Sequence, residues 1–363
     1  MAQSKSIILY AGLAVLAILG GYFYLSGDGR ESSRVVKIGA ILPLSGDIAF
    51  LGESLRDGLL LAQSEAVNTR YTYRLIFEDD QFDAKRAVSA AEKLITVDRV
   101  DVIVTMTSRE ANAVNPIAEA RKVVQFSTAS DPKAADGYFN FVHWTPASEE
   151  ARVLVTELEK RGVGKIAVFS FNQQGTLVMR EEVKKRLSST NIILVADEIF
   201  NPGEKDFRSM IGKASALKPD IYLLLSFTPE LEILAKQIKD AGIKAVLTSI
   251  ESFELTDKPE LFEGYWYVNA ADPTSGFRKK YERKYSKAPN LGAANGYDIF
   301  NMIITAAERA HRVVAPRDIA NQLYVIKDFP GALGSLTMNS EGVVISQPTV
   351  KIIKGGRPEA LKE

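Results

Sequence analysis

Short apolar runs, each followed by a polar turn and then by a segment with helical spacing, recur along most of this chain. No other feature restricts its fold as strongly. Ile221 to Leu225 is apolar at every position, and Val100 to Val104 and Val123 to Phe126 are nearly so. A strand without a polar face must be buried on both sides, which a parallel sheet between two helical layers provides. The repeated strand–helix order therefore predicts an α/β fold of doubly wound parallel sheets.

Taken in order, Val35 to Leu42 reads as a strand ending in Pro43-Leu44-Ser45-Gly46. After Gly52 a helix places Leu55, Leu59, Ala62 and Ala66 on one face. Arg74 to Phe77 is a second strand, ending at Glu78-Asp79-Asp80, and Ala87, Ala90, Ala91, Leu94 and Ile95 form the next helix face. Two more cycles fill Val100 to Asp131. The alternation breaks at Phe139 to Pro146 and restarts at Ser148 with a helix, a strand at Lys165 to Phe169, and the turn Asn172-Gln173-Gln174-Gly175. Ile192 to Phe200 and Ile221 to Leu225 are further strands, with helices at Phe207 to Leu217 and around Leu231 to Ile238. Tyr265 to Val268 is the last strand of this series. Helices follow at Phe277 to Tyr285, Asn295 to His311 and Pro316 to Tyr324, and Ser335 to Ile353 is β-like. With 363 residues, about two lobes are expected.

Ligands of open parallel sheets bind beyond the carboxyl ends of the strands. Two adjacent hydroxyl-bearing turns stand there, Thr105-Met106-Thr107-Ser108 and Ser127-Thr128-Ala129-Ser130. Together they can make a small polar site.

Composition removes several alternatives. Lys+Arg and Asp+Glu both number 45, so no basic excess favours nucleic acid as a partner. Cysteine is absent, which excludes disulfides, thiolate ligands, a cysteine nucleophile and a lipidated cysteine. His143 and His311 are far apart, read as polar surface or edge positions, and no metal or other cofactor is expected. No Walker loop, G-x-S-x-G elbow, G-x-G-x-x-G or H-E-x-x-H occurs, and Glu78-Asp79-Asp80 reads as a solvated turn or helix cap. An enzyme is not expected.

Ile7 to Leu25 is an uncharged apolar run of 19 residues, close to the ~20 that cross a bilayer as a helix and longer than a signal-peptide core. No Ala-x-Ala-like site follows it. Residues 1–34 are therefore expected to comprise a cytoplasmic start, a single transmembrane anchor at about 7–25 and a polar linker, with Val35 onwards outside the cytoplasm.

The stretch Lys37-Ile-Gly-Ala-Ile-Leu-Pro-Leu-Ser-Gly46 with Gly52, then Glu78-Asp79-Asp80, Gly203-Glu-Lys-Asp-Phe207, Pro229-Glu230, Gly242 and Tyr297-Asp298, resembles the periplasmic-binding-protein type I family. Within it the pattern is most similar to the leucine/isoleucine/valine-binding proteins of ABC importers. The resemblance implies two lobes joined by three crossings, here near Thr145, Asp272 and Phe329. Residues 35–145 with 273–329 would form the first lobe, and 146–272 with 330–363 the second. It also implies a ligand carboxylate held by Ser108 and an ammonium met by Glu251, with Thr128, through its carbonyl, and Ser130 serving both groups. Thr107 and Ala129, in the same turns, complete the expected first-lobe contacts. Two second-lobe aromatic rings that close over the ligand in the family correspond to Gly175 and Phe227, so one wall has changed. Arg109, a cation in the first turn of a helix, opposes the macrodipole. It either pairs with Glu110 and solvent or reaches a second anionic group of the ligand. Trp144 and Trp266 read as packing. The implied function is an extracytoplasmic receptor that closes on a small amino acid or related carboxylate and delivers it to an ABC permease. A sensing ectodomain for a membrane partner is the alternative.

Overall fold

The computed structural model describes residues 35–244, 246–310 and 315–361. The apolar run Ile7 to Leu25 and His311 lie outside them. Among the described residues, no helix is long and apolar enough to cross a membrane.

The first sheet has the parallel order β2-β1-β3-β4-β5, with β1 Val35–Leu42, β2 Thr72–Asp79, β3 Val102–Met106, β4 Val124–Thr128 and β5 Asn140–Val142. Every residue of β3 and β4 is buried, as apolar central strands require. The crossover helices are α1 Ala49–Glu65, α2 Ala84–Lys93 and α3 Ser108–Arg121. Asp83 caps α2 by accepting the N–H groups of Lys85 and Arg86, both at 3.0 Å. After α4 Ala147–Lys160 comes a second parallel sheet, β7-β6-β8-β9. Its strands are β6 Lys165–Phe171, β7 Ile193–Phe200, β8 Ile221–Leu225 and β9 Val246–Thr248, with α5 Gln174–Leu187, α6 Arg208–Ala216 and α7 Glu230–Asp240 between them. Strand β10, Trp266–Ala270, continues this sheet through a parallel bridge between Ile250 and Val268.

The chain then returns to the first lobe. Helices α8 Ser275–Tyr285, α9 Ala293–Arg309 and α10 Pro316–Tyr324 follow. Helix α9 lies against α1 at backbone distance: a Cβ on Gly58 would sit 2.0 Å from the Ala293 carbonyl oxygen, and one on Gly296 would sit 2.3 Å from that of Leu55. Only glycine permits this approach at either position.

The third crossing differs from the expectation. Strands β11 Phe329–Gly331, β12 Gly334–Met338 and β13 Val344–Ile345 pair with one another. They join the first sheet, where the Val142 N–H donates to the Gly342 carbonyl at 2.9 Å. Asp298 of α9 also accepts the Leu333 N–H at 3.1 Å, fastening this meander to the first lobe. Residues 330–345, assigned by sequence to the second lobe, thus sit with the first, and the chain crosses at Ser346–Gln347. Strands β14 Pro348–Lys354 and β15 Arg357–Ala360 then add to β10 in antiparallel fashion.

Two polar readings also change. His143 is fully buried, not at a surface, with Nε2 3.4 Å from Asp298. Asp80 is likewise buried rather than solvated, and burial pushes its carboxyl up to about 7. Its neighbour Asp79 ties the loop after β1 by accepting Leu44 N–H at 2.8 Å.

Candidate functional site

The ends of β3 and β4 face the second lobe across a narrow cleft of ≈ 40 Å³, lined by Leu51, Met106, Thr107, Ser108, Thr128, Ser130, Trp144, Gln173, Gly175, Thr176, Met179, Phe227, Ile250, Glu251, Ser252 and Leu255. That space admits a few water-sized groups, so the lobes lie close together.

On the first wall, Ser108 begins α3 and its Oγ accepts the N–H groups of Ser130 and Asp131, each at 3.1 Å. A serine oxygen has two acceptor lone pairs and one hydrogen. With both lone pairs used, Ser108 is left as a donor, suited to an anionic oxygen. Thr107 holds φ +65°, uncommon for a β-branched residue, and its N–H donates to the Thr128 carbonyl at 3.2 Å. The Thr128 hydroxyl lines the cleft and has no hydrogen-bond partner among the described residues. A buried hydroxyl left so costs about 1–3 kcal/mol, which a ligand acceptor or donor would relieve.

The second wall is acidic. Glu251 follows β9, at φ +61°, and is 3% exposed. Such a conformation in a non-glycine residue costs on the order of 1–3 kcal/mol and is held by its surroundings. Here the Glu251 N–H is tied to the Val268 carbonyl at 2.8 Å. Its carboxylate accepts from Trp144 Nε1 and, at 3.5 Å, from Ser130 Oγ. Burial raises the carboxyl to about 7, against the donors Trp144 and Ser130. Behind it, Glu254 takes hydrogen bonds from Tyr267 (2.8 Å), Asn269 (2.9 Å) and Lys351 (3.0 Å). Lys351 is itself buried and also pairs with Asp272 at 3.0 Å, next to the second crossing. Burial pulls the Lys351 ammonium down, but Glu254 and Asp272 outweigh it and keep it charged.

The loss of a ring at Gly175 has a local reason. Gly175 lies in the first turn of α5, and a Cβ there would stand 3.0 Å from Ser108 Oγ. Without a side chain, the start of α5 closes directly onto the first wall. Gln174 completes the contact by donating to Asp131 at 3.0 Å. Phe227 retains its position in the cleft and meets Phe82 of the first lobe, ring centroids 5.4 Å apart.

Seven expected residues are thus brought together: Thr107, Ser108, Thr128, Ser130, Gly175, Phe227 and Glu251. Two are not. Ala129 packs among Ala111, Ala134, Val142 and Trp144 and does not line the cleft. Arg109 donates to Glu110 at 3.0 Å and to the Phe82 carbonyl, and its guanidinium sits 4.7 Å over the Phe82 ring. It braces the loop that carries Phe82 instead of lining the cavity. Sequence reading missed the apolar lining of Leu51, Met106, Met179 and Leu255, and took Trp144 for packing although its indole donates to Glu251. Trp266 does pack, with Arg161 4.6 Å over its ring. Among the described residues, no group of three or more His, Cys, Asp or Glu is placed to hold a metal ion.

A family model described as periplasmic binding protein matches residues 35–350. The Leu/Ile/Val-binding protein homolog 3 of Brucella melitensis biotype 1 is 25% identical over 336 residues, covering 88% of this chain and 91% of that one. A leucine binding protein from Thermotoga maritima superimposes with a TM-score of 0.82 at 23% identity, over 90% of this chain and 98% of the other. A solute binding protein from R. palustris, in complex with benzoate, gives 0.81 at 20% identity, over 90% and 95%.

Proposed function

Since the chain belongs to the periplasmic binding protein family, a family of solute-binding proteins and not of enzymes, we propose that its cleft captures a small amino acid or related carboxylate outside the cytoplasm and passes it to an ABC permease. The observation that carries this reading is the pairing of walls. Ser108, a hydroxyl with only its hydrogen to give, stands across the cleft from Glu251, a buried carboxylate. A carboxylate and an ammonium on one small molecule would satisfy both. The relatives named for leucine, isoleucine and valine support the amino acid, and the benzoate complex supports a carboxylate without an amine.

Ligand acts here as a bridge between lobes, so its binding energy goes into biasing the closed state. The three crossings at Thr145, Ala271–Pro273 and Ser346–Gln347 serve as the hinge in this reading, and Thr145 and Ser346 hydroxyls lie 2.9 Å apart there. The apolar run Ile7 to Leu25 would anchor the receptor beside its permease, where tethering raises the effective concentration.

A thermal-shift screen of the purified protein against amino acids, dicarboxylates, amides and small aromatic acids tests the reading. A ligand at 100 times its Kd should add about 2.7 kcal/mol of stability. Stabilisation only by carboxylates that lack an amine would remove the ammonium role from Glu251. No stabilisation by any compound with a carboxylate would remove the reading itself.

A further inference from the structure

Glu150 is a buried acid near the cleft that this function does not use. It lies in the first turn of α4, just past the first crossing, and is fully buried. Neither of its carboxyl oxygens has a hydrogen-bond donor among the described residues. What it faces is another acid, for its carboxyl lies within hydrogen-bonding contact of Glu251. Two carboxylates in that arrangement would repel at short range. A carboxylic acid against a carboxylate is instead a charge-assisted hydrogen bond.

The surroundings decide which member keeps the proton. Glu251 has two further donors, Trp144 Nε1 and Ser130 Oγ, and these favour its ionised form. Glu150 has none. The cation that acts on Glu150 is Lys351 of β14, already engaged by Glu254 and Asp272, and Glu254 adds negative charge from the loop after β9. Burial and the Glu251 charge hold the Glu150 carboxyl well above the usual carboxylate range, consistent with a protonated Glu150.

We propose that Glu150 is a positioning residue of the ligand site: as a carboxylic acid it donates to Glu251, and with Trp144 and Ser130 it holds that side chain as an oriented, ionised acceptor for the ligand's cationic end. The proposal rests on the reading of Glu251 as the ammonium contact. It adds that the buried pair carries one charge and one proton, a match for a single ammonium. Binding of a cation then draws Glu251 fully into its ionised form, so affinity rises with pH through the Glu251 titration.

The experiment has a ligand-free arm and a ligand arm. In the first, carbon-13 NMR of glutamate carboxyls in the free protein should show one carboxyl protonated at pH 7 that disappears in Glu150→Gln. If that variant removes only a resonance titrating near pH 4.5, the proposal is overturned. In the second, calorimetry follows L-leucine, an ammonium-bearing probe, and 4-methylpentanoate, its amine-free analogue, from pH 5.5 to 9. Glu150→Leu should weaken L-leucine about tenfold or more, as loss of a hydrogen bond to a charged group does. It should also move the midpoint of the affinity–pH curve upward while leaving 4-methylpentanoate unchanged. Glu150→Gln, which keeps a donor, should rescue both affinity and midpoint. A packing role alone would lower affinity without moving the midpoint, and would count against the proposal. So would a loss in Glu150→Gln as large as in Glu150→Leu, because Glu150 would then act as a second anion. If the protonated carboxyl is seen but L-leucine does not bind the unaltered protein, the acid pair stands and the amino-acid reading of the cleft falls.

Discussion

Where the first lobe meets the cleft it offers hydroxyls and backbone N–H groups from two strand-end turns, whereas the second lobe offers buried carboxyls backed by a network of Tyr267, Asn269 and Lys351. The difference follows from what each must hold. Amide and hydroxyl dipoles stay neutral when buried, so the turns after β3 and β4 need little support beyond one another. A buried carboxylate is several kcal/mol out of place unless it is donated to and balanced, and Glu251 accordingly draws donors from distant chain, Ser130 Oγ and Trp144 Nε1, while the Val268 carbonyl accepts its backbone N–H. A neutral wall can be built locally, and a charged one recruits distant chain.

The contrast can be broken most directly by Glu251→Leu. Removing a buried charge that pairs with a ligand costs on the order of 2–5 kcal/mol, so calorimetry should show amine-bearing ligands lost and amine-free carboxylates weakened far less. Equal loss of both classes would mean that the walls do not divide the ligand's two ends. Next in size is Gly175→Tyr. The ring would be driven into Ser108, and overpacking of this kind costs about 1–3 kcal/mol. Small-angle scattering should then report a more open protein, and a variant as compact as the parent would show that α5 does not set the closed distance.

Ser108→Ala should cost about 1–2 kcal/mol of stability by leaving two N–H groups unaccepted, read as a lower urea midpoint. It should also weaken carboxylates with and without an amine alike. The pH response sharpens the comparison further. Glu251 and Glu150 titrate above their unfolded value of 4.5, so the folded state binds more protons than the unfolded one as pH rises from 4.5 through about 7. Stability should therefore fall across that window. Asp80 of the first lobe, also raised to about 7, contributes with the same sign. Replacing Glu251 by Gln should flatten the fall more than replacing any first-wall residue, and an unchanged slope would contradict the burial assigned to it. The smallest effect on ligand binding belongs to Arg109→Ala, which removes a cation–π contact worth about 0.5–1 kcal/mol together with the hydrogen bonds to Glu110 and the Phe82 carbonyl, and should leave ligand ranking as it was. A reordered ranking would bring Arg109 back into the cavity.

Much of the first wall was legible because its signals are local. Apolar strands ending in Thr-Ser and Thr-Ala-Ser turns fix both the sheet and the placement of Ser108 and Ser130. Glu251 was legible only through resemblance, since a lone glutamate after a short strand looks like surface. Glu150 was not legible at all: a glutamate in the first turn of a helix is what the macrodipole favours anywhere, and only tertiary packing brings it against a second acid. Trp144 was misjudged for the same reason, because its partner is 107 residues away. The third crossing was placed too early because Phe329 was taken from the resemblance by position, and nothing in the β-like segment after it announces that Asp298 and Val142 hold it to the first lobe.

The glycine contact between α1 and α9 carries a mechanical meaning. Helices that touch backbone to backbone at Gly58 and Gly296 cannot slide by the width of a side chain, because no side chain lies between them to change rotamer. Leu51, near the start of α1, lines the cleft, and Asp298, two residues past Gly296, grips the chain at Leu333 on its way to the crossing at Ser346. Through these contacts the packed pair α1 and α9 connects the cleft-lining Leu51 with the stretch of chain that leads to the crossing.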